Sequence, residues 1–191
     1  MEEIFGKQER KDGDMEKQTG CVHIYCGDGK GKTTCGMGLC VRAAGYGYRV
    51  LIYQFMKDNT TSERKAMEKI PGITFVPGLK EEKFSFQMTT EEKEERKRFY
   101  KEKFREVTEK AEKEMYDVLF LDEVIYTIRA GLFEERILVE WLKQKPEHLE
   151  VILTGQDPGG ELIQCADYVS ELKKIRHPFD RGLGARDGIE R

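Results

Sequence analysis

The sequence predicts an α/β protein built on a doubly wound, mostly parallel sheet of about five to six strands. Two observations predict it. Short apolar runs recur along the chain with amphipathic helical stretches between them, and that alternation is the pattern of parallel strands joined by crossovers. The runs are also near-continuous rather than alternating, which suits strands buried on both faces.

Met1 to Gly20 lacks periodicity and is expected to form a mobile arm ahead of a single domain over residues 21–191. Strands are expected at Cys21–Cys26, Arg49–Met56, Asp117–Leu121, Glu150–Leu153 and Tyr168–Leu172, with Ile73–Val76 as a further candidate. A helix over Thr33–Ala44 follows the first strand. A long helix over about Thr90–Met115 carries Phe99, Tyr100, Phe104, Val107, Ala111 and Met115 at spacings of three or four, so one stripe faces the sheet. Its remaining positions interleave Glu with Lys and Arg, the composition of a solvated face with i,i+4 pairs. A later helix, Glu134–Gln144, holds the single Trp, Trp141, assigned to the core.

Composition removes several classes of function. A net charge of −3 offers no global attraction to a polyanion, so nucleic acid is not expected as the main ligand. No apolar run approaches the roughly 20 residues of a membrane span, and the N-terminus carries no signal-peptide apolar region. A cytoplasmic protein is expected. Five Cys, none spaced as CxxC, and three scattered His do not make a zinc pattern; reduced, mostly buried thiols are the simplest reading.

The residues that carry chemistry begin at Gly27-Asp28-Gly29-Lys30-Gly31-Lys32-Thr33-Thr34, between the first strand and the first helix. Glycines let backbone N–H groups converge on phosphate oxygens, and the helix N-terminus favours the same anion. Lys32 adds a full charge, and the Thr33 hydroxyl is placed to ligate Mg²⁺. The bland alternative is a Gly-rich turn with incidental lysines. The spacing departs from GxxxxGK[ST]: Cys26 stands five residues before Gly31, and Lys30 is additional. Further on, Asp122-Glu123 ends a buried strand at the edge where open α/β sheets bind ligands. Two carboxylates there can hold Mg²⁺ directly or through water, or Asp122 can cap the short helical stretch that follows.

With these pieces in hand, the chain resembles the ATP:corrinoid adenosyltransferases of the variant-P-loop type. The resemblance runs from about Gly20 to Glu190. It includes GDGKGKTT, Arg42-Ala43-Ala44-Gly45-Tyr46-Gly47, Gln54-Phe55-Met56-Lys57, Leu121-Asp122-Glu123, Leu153-Thr154-Gly155 and Ser170-Glu171-Leu172. It closes with His177-Pro178-Phe179-Asp180 and Gly188-Ile189-Glu190.

The resemblance implies a P-loop NTPase-like, recombinase-like fold. It implies a reaction in which a cobalt(I) corrinoid attacks the 5′ carbon of ATP and triphosphate leaves intact, with Mg (or Mn) bound. By the same resemblance, Gly27 to Thr34 hold the triphosphate and Lys32 neutralises it, while Thr33 and Glu123 ligate the metal with Asp122 nearby. Arg42 resembles a further phosphate contact; a surface salt bridge is the alternative. Phe84-Ser85-Phe86 matches an aromatic pair that packs under the corrin and drives off the lower cobalt ligand, and ordinary core burial is the other reading. Gln156 stands where some relatives carry Arg and receives no role. A reduced flavoprotein or similar electron donor and a homodimer are implied partners. Two rivals remain at this level: a kinase or NTPase acting at the γ-phosphate, and a non-catalytic ATP and corrinoid carrier.

Overall fold

The computed structural model describes residues 20–80 and 87–190. Six strands form one sheet: β1 (Val22–Cys26), β2 (Val50–Gln54), β3 (Ile73–Phe75), β4 (Val118–Asp122), β5 (Glu150–Thr154) and β6 (Tyr168–Glu171). Their order is β3-β2-β4-β5-β1-β6, and every pairing is parallel. The helices among the described residues are α1 (Lys32–Tyr46), α2 (Ser62–Met67), α3 (Thr90–Lys113), α4 (Val124–Arg129), α5 (Glu135–Leu142) and α6 (Gly160–Gln164).

Period-2 geometry divides each buried strand between two cores. Leu119 and Leu121 of β4 face one side with Leu51 and Tyr53 of β2, where Tyr100, Phe104 and Val107 of α3 and Leu138 of α5 cover them. Val118 and Phe120 face the other, against Met37, Cys40 and Ala43 of α1 and Met67 of α2. The sheet is therefore covered on both faces, as the near-continuous apolar runs require. Contact between α1 and β4 is close: a Cβ on Gly36 would lie 2.4 Å from the Phe120 ring.

Helix α3 starts where a capping box dictates. The Thr89 side chain accepts from the Glu92 N–H, and Glu92 reaches back to the Thr89 N–H. Its outer face is laced by pairs such as Arg105–Glu109 at 2.6 Å and Lys113–Glu109 at 2.7 Å, each worth a few tenths of a kcal/mol.

Four expectations are corrected. Strand β6 is exposed along its whole length: it is an edge strand that pairs with β1 and, unlike the other edge strand β3, is not buried by helices among the described residues. Met115 lies beyond α3, in a left-handed conformation and exposed, so the apolar stripe ends at Ala111. Trp141 is half-buried at the rim of the core, its Nε1–H donating to Glu112 at 3.0 Å. Cys35 is exposed while Cys26 and Cys40 are buried, and all five thiols are free. Among the described residues no helix is long and apolar enough to cross a membrane.

At the sheet edge away from the phosphate loop, Glu150 fastens the start of β1. Its carboxylate accepts from the N–H groups of Gly20 (2.6 Å) and Cys21 (2.8 Å) and pairs with His23 Nε2 (2.5 Å). Burial raises the Glu150 carboxyl, but these hydrogen bonds outweigh it and hold the group below the ordinary glutamate range. A depressed carboxylate stabilises the fold above its unfolded pKa of about 4.3 and loses that contribution as pH falls through the folded value. Glu150→Ala leaves three donors without their acceptor. Its expected cost is about 2–3 kcal/mol, a melting-point drop on the order of 5–10 °C measured by circular dichroism at pH 7. The difference from wild type should shrink below about pH 4.

Candidate active site

The carboxyl ends of β1, β2, β4, β5 and β6 meet at one edge of the sheet, where the loop from Gly27 to Gly31 leads into α1. Gly31 is the N-cap of α1 in a left-handed conformation (φ 115°) and makes no side-chain cap. The first-turn N–H groups of α1 thus have no capping side chain and form an anion site. Lys32 curls over the loop, its Nζ donating to the Gly29 carbonyl at 2.9 Å. Thr34 is exposed on the first turn of α1.

The extra glycines of the variant loop have a structural cause as well. The chain leaving β6 crosses the loop: the Gly29 N–H donates to the Leu172 carbonyl at 2.7 Å, and the Lys174 N–H donates to Asp28 at 2.9 Å. A Cβ at Gly27 or Gly29 would lie 2.4 or 2.7 Å from the Leu172 carbonyl oxygen. Asp28 is held below its ordinary value chiefly by the Lys174 hydrogen bond. Lys30 donates to Glu190 at 3.0 Å, which carries the C-terminal segment across the loop mouth.

Asp122, at 0% exposure, is the centre of the site. One oxygen accepts from Thr33 Oγ1 (2.9 Å) and Thr154 Oγ1 (2.7 Å), the other from Gln54 Nε2 (3.1 Å) and Lys57 Nζ (2.7 Å). Both Asp122 oxygens are engaged, so its role toward Thr33 is orientation of the hydroxyl. Burial pushes the Lys57 ammonium down, but the carboxylates of Asp122, Glu123 and Glu63 override that and hold it above its ordinary value.

Glu123 follows in a left-handed backbone (φ 60°), its N–H donating to Thr154 Oγ1 at 2.7 Å. Its side chain makes no hydrogen bond or ion pair among the described residues. Burial, then the charge of Asp122, raises its carboxyl, with Lys57 and Lys32 pulling the other way. A carboxylate with no hydrogen bond among the described residues, close to Asp122, Lys57 and Lys32, fits a hard divalent cation such as Mg or Mn. Among the described residues no group of three or more His, Cys, Asp and Glu could hold a metal, so phosphate oxygens would have to complete the shell.

The structure thus brings Gly27 to Thr33, Asp122 and Glu123 together. Arg42 sits on the exposed side of α1 with no hydrogen bond or ion pair among the described residues. Phe84 and Phe86 lie outside the described residues. Leu79, Met88, Glu92, Glu95, Arg96 and Phe99 line a groove of about 280 Å³. It adjoins the Lys57 turn, since Asp58 bridges to Leu79 and Asn59 Nδ2 donates to the Leu79 carbonyl at 3.2 Å.

Sequence reasoning gave Gln54, Lys57 and Thr154 no individual roles. The available signal was a polar residue closing an apolar run, Gln54 after Val50–Tyr53 and Thr154 after Val151–Leu153, at the ligand edge.

Residues 18–191 match the family described as ATP:corrinoid adenosyltransferase BtuR/CobO/CobP. The chain is similar to the corrinoid adenosyltransferase of Escherichia coli strain K12, 27% identical over 175 residues, which cover 92% of this chain and 87% of that protein. Similarity to the corrinoid adenosyltransferase of Sinorhizobium sp is 29% over 175 residues, 91% of this chain and 81% of the other. Among solved structures, the KaiC-like protein PH0186 of the archaeon Pyrococcus horikoshii OT3 shares the fold. Its TM-score is 0.53 at 20% identity, over 83% of this chain and 74% of that one.

Gly29→Ala should force the Leu172 backbone off the loop, at a cost of about 1–3 kcal/mol, and weaken nucleotide binding in calorimetry by about tenfold, the equivalent of 1.4 kcal/mol. Gly38→Ala, where a Cβ meets nothing within 4 Å, should leave binding unchanged and raise the melting point slightly.

Proposed function

The chain belongs to the ATP:corrinoid adenosyltransferase family, and from that membership we propose that it transfers the 5′-deoxyadenosyl group of ATP to the cobalt(I) of a corrinoid and releases triphosphate. The observation that carries the reading is one edge of the sheet holding an anion site at the start of α1, Thr33 fixed by buried Asp122, and a Glu123 side chain with no hydrogen bond or ion pair among the described residues.

In the proposed reaction the electron pair of cobalt(I) forms the Co–C5′ bond. The C5′–O5′ bond breaks, and its pair leaves on the triphosphate oxygen. The chain's task is to bind and orient a highly charged leaving group. The N-terminus of α1 and Lys32 receive the phosphates, with the loop from Gly27 to Gly31 around them. Thr33 and Glu123 would hold magnesium, with Asp122 fixing the Thr33 hydroxyl. Bound there, magnesium would neutralise charge on the departing triphosphate. Arg42 is a further phosphate contact.

The corrin is proposed to lie toward the groove beside the Lys57 turn, with Phe84 and Phe86 as the wedge that empties the lower axial position of cobalt. A reduced flavoprotein supplies the electron that makes cobalt(I), and the enzyme works in the cytoplasm as a homodimer. Residues 21–191 form the catalytic domain, and the arm expected over Met1 to Gly20 lies, but for Gly20, outside the described residues.

The test is an anaerobic assay with MgATP and chemically reduced cob(I)alamin, with the phosphate product identified. Light-sensitive adenosylcobalamin with stoichiometric triphosphate is expected; ADP with the corrinoid untouched would overturn the reading in favour of γ-phosphate chemistry. Lys32→Ala should lower turnover on the order of 10²–10³-fold through lost triphosphate binding. Phe86→Ala should slow reduction of bound cobalt(II) corrinoid and leave ATP affinity unchanged; the reverse pattern would exclude the wedge.

A further inference from the structure

We propose that Lys57 is a second lysine of the polyphosphate site, which holds Thr33 and Asp122 in place in the nucleotide-free protein and moves onto the phosphate oxygens when nucleotide and metal arrive. This rests on the adenosyl-transfer reading only in taking the phosphate loop as the triphosphate site.

The backbone after β2 is shaped to present this side chain. Phe55 N–H donates to the Asp122 carbonyl at 2.9 Å, extending the β2–β4 ladder by one residue. Met56 then takes φ 51°, and its N–H donates to the Tyr100 hydroxyl at 3.1 Å. A non-glycine residue in the left-handed region is strained by about 1–3 kcal/mol, and the tie to α3 holds it there. The turn points Lys57 back across the sheet edge. Its Nζ lies 2.7 Å from Asp122 Oδ2, 3.3 Å from Thr33 Oγ1 and 3.9 Å from Glu63 Oε1, and the side chain is 24% exposed.

Proton bookkeeping at Thr33 gives the contact its meaning. The hydroxyl has one proton, donated to Asp122, so Lys57 stands at a lone pair. A divalent cation ligated by Thr33 would use the same oxygen and stand only a few ångströms from the ammonium, where like charges repel strongly. Lys57 has a flexible four-carbon stem, and the cation arrives with phosphate oxygens on its far side. The ammonium therefore has an anionic destination within reach. Lys32 enters from the loop and Lys57 from the opposite strand, so the two lysines approach the phosphates from different sides. A residue that merely neutralised Asp122 would have no need to reach Thr33.

The experiment is calorimetric binding of magnesium triphosphate, without corrinoid, to wild type, Lys57→Gln and Lys57→Arg, with circular dichroism to establish folding. The expected result is a loss of affinity of about 10- to 100-fold in Lys57→Gln, a shallower salt dependence, and recovery of most of the affinity in Lys57→Arg. Nucleotide-free Lys57→Gln should also bind Mn²⁺ more tightly than wild type in electron paramagnetic resonance, since the competing ammonium is gone. If the Gln variant loses its fold, Lys57→Met, which keeps much of the stem's apolar length, takes its place. A folded variant that binds magnesium triphosphate as wild type does overturns the proposal. Wild-type protein that binds no triphosphate overturns the phosphate site itself, and this assignment with it.

Discussion

The structure depends on a buried charge. Asp122 has no contact with solvent, and a carboxylate in that position is tolerable only when its lone pairs are filled by well-placed donors. The donors come from α1, the end of β2, the turn after it, and β5. Removing any one leaves part of a buried charge unsatisfied, so the same bonds that assemble the site lock α1 and three strands in register. The same network fixes the Thr33 hydroxyl before any ligand arrives.

Burial explains which parts of this were legible in the sequence. Val118–Leu121 and Val151–Leu153 are continuous apolar runs because both sheet faces are covered, and a run of that kind declares its strand directly. Strand β6 was legible as a strand but not as an edge, since Tyr168 and Val169 look like core residues and nothing local says that only one neighbour will pair. Met115 continues the apolar stripe of α3 in sequence, yet its left-handed backbone takes it off the helix. The loop from Gly27 to Gly31 was legible as the link between β1 and α1 because its signal is local. The position of Lys57 was not: it reaches Asp122 and Thr33 across 65 and 24 positions of chain, and the β2–β4 pairing brings it to Asp122.

The loop's composition acquires a double explanation. Glycine at 27 and 29 suits the close backbone approach expected of a phosphate loop, and the Leu172 carbonyl also crowds the place a side chain would take. Gly29 gives its N–H to that carbonyl. The departure from common loop spacing thus follows from an added layer: the segment beyond β6 lies over the loop, so the anion-binding groups that remain are concentrated at the start of α1 and at Lys32.

The strand order also governs when the site can exist. Strand β1 and the phosphate loop come early in the chain, but β1 pairs only with β5 and β6, and its anchors to Glu150 and Asp167 span 129 and 145 residues. During synthesis the first strand has no neighbour to pair with until β5, whose Glu150 lies 129 positions beyond Cys21, has been made. Long-range closure of this kind slows folding and leaves apolar segments uncovered meanwhile. The nascent chain therefore carries the loop that follows β1 well before the strands that hold it in place exist.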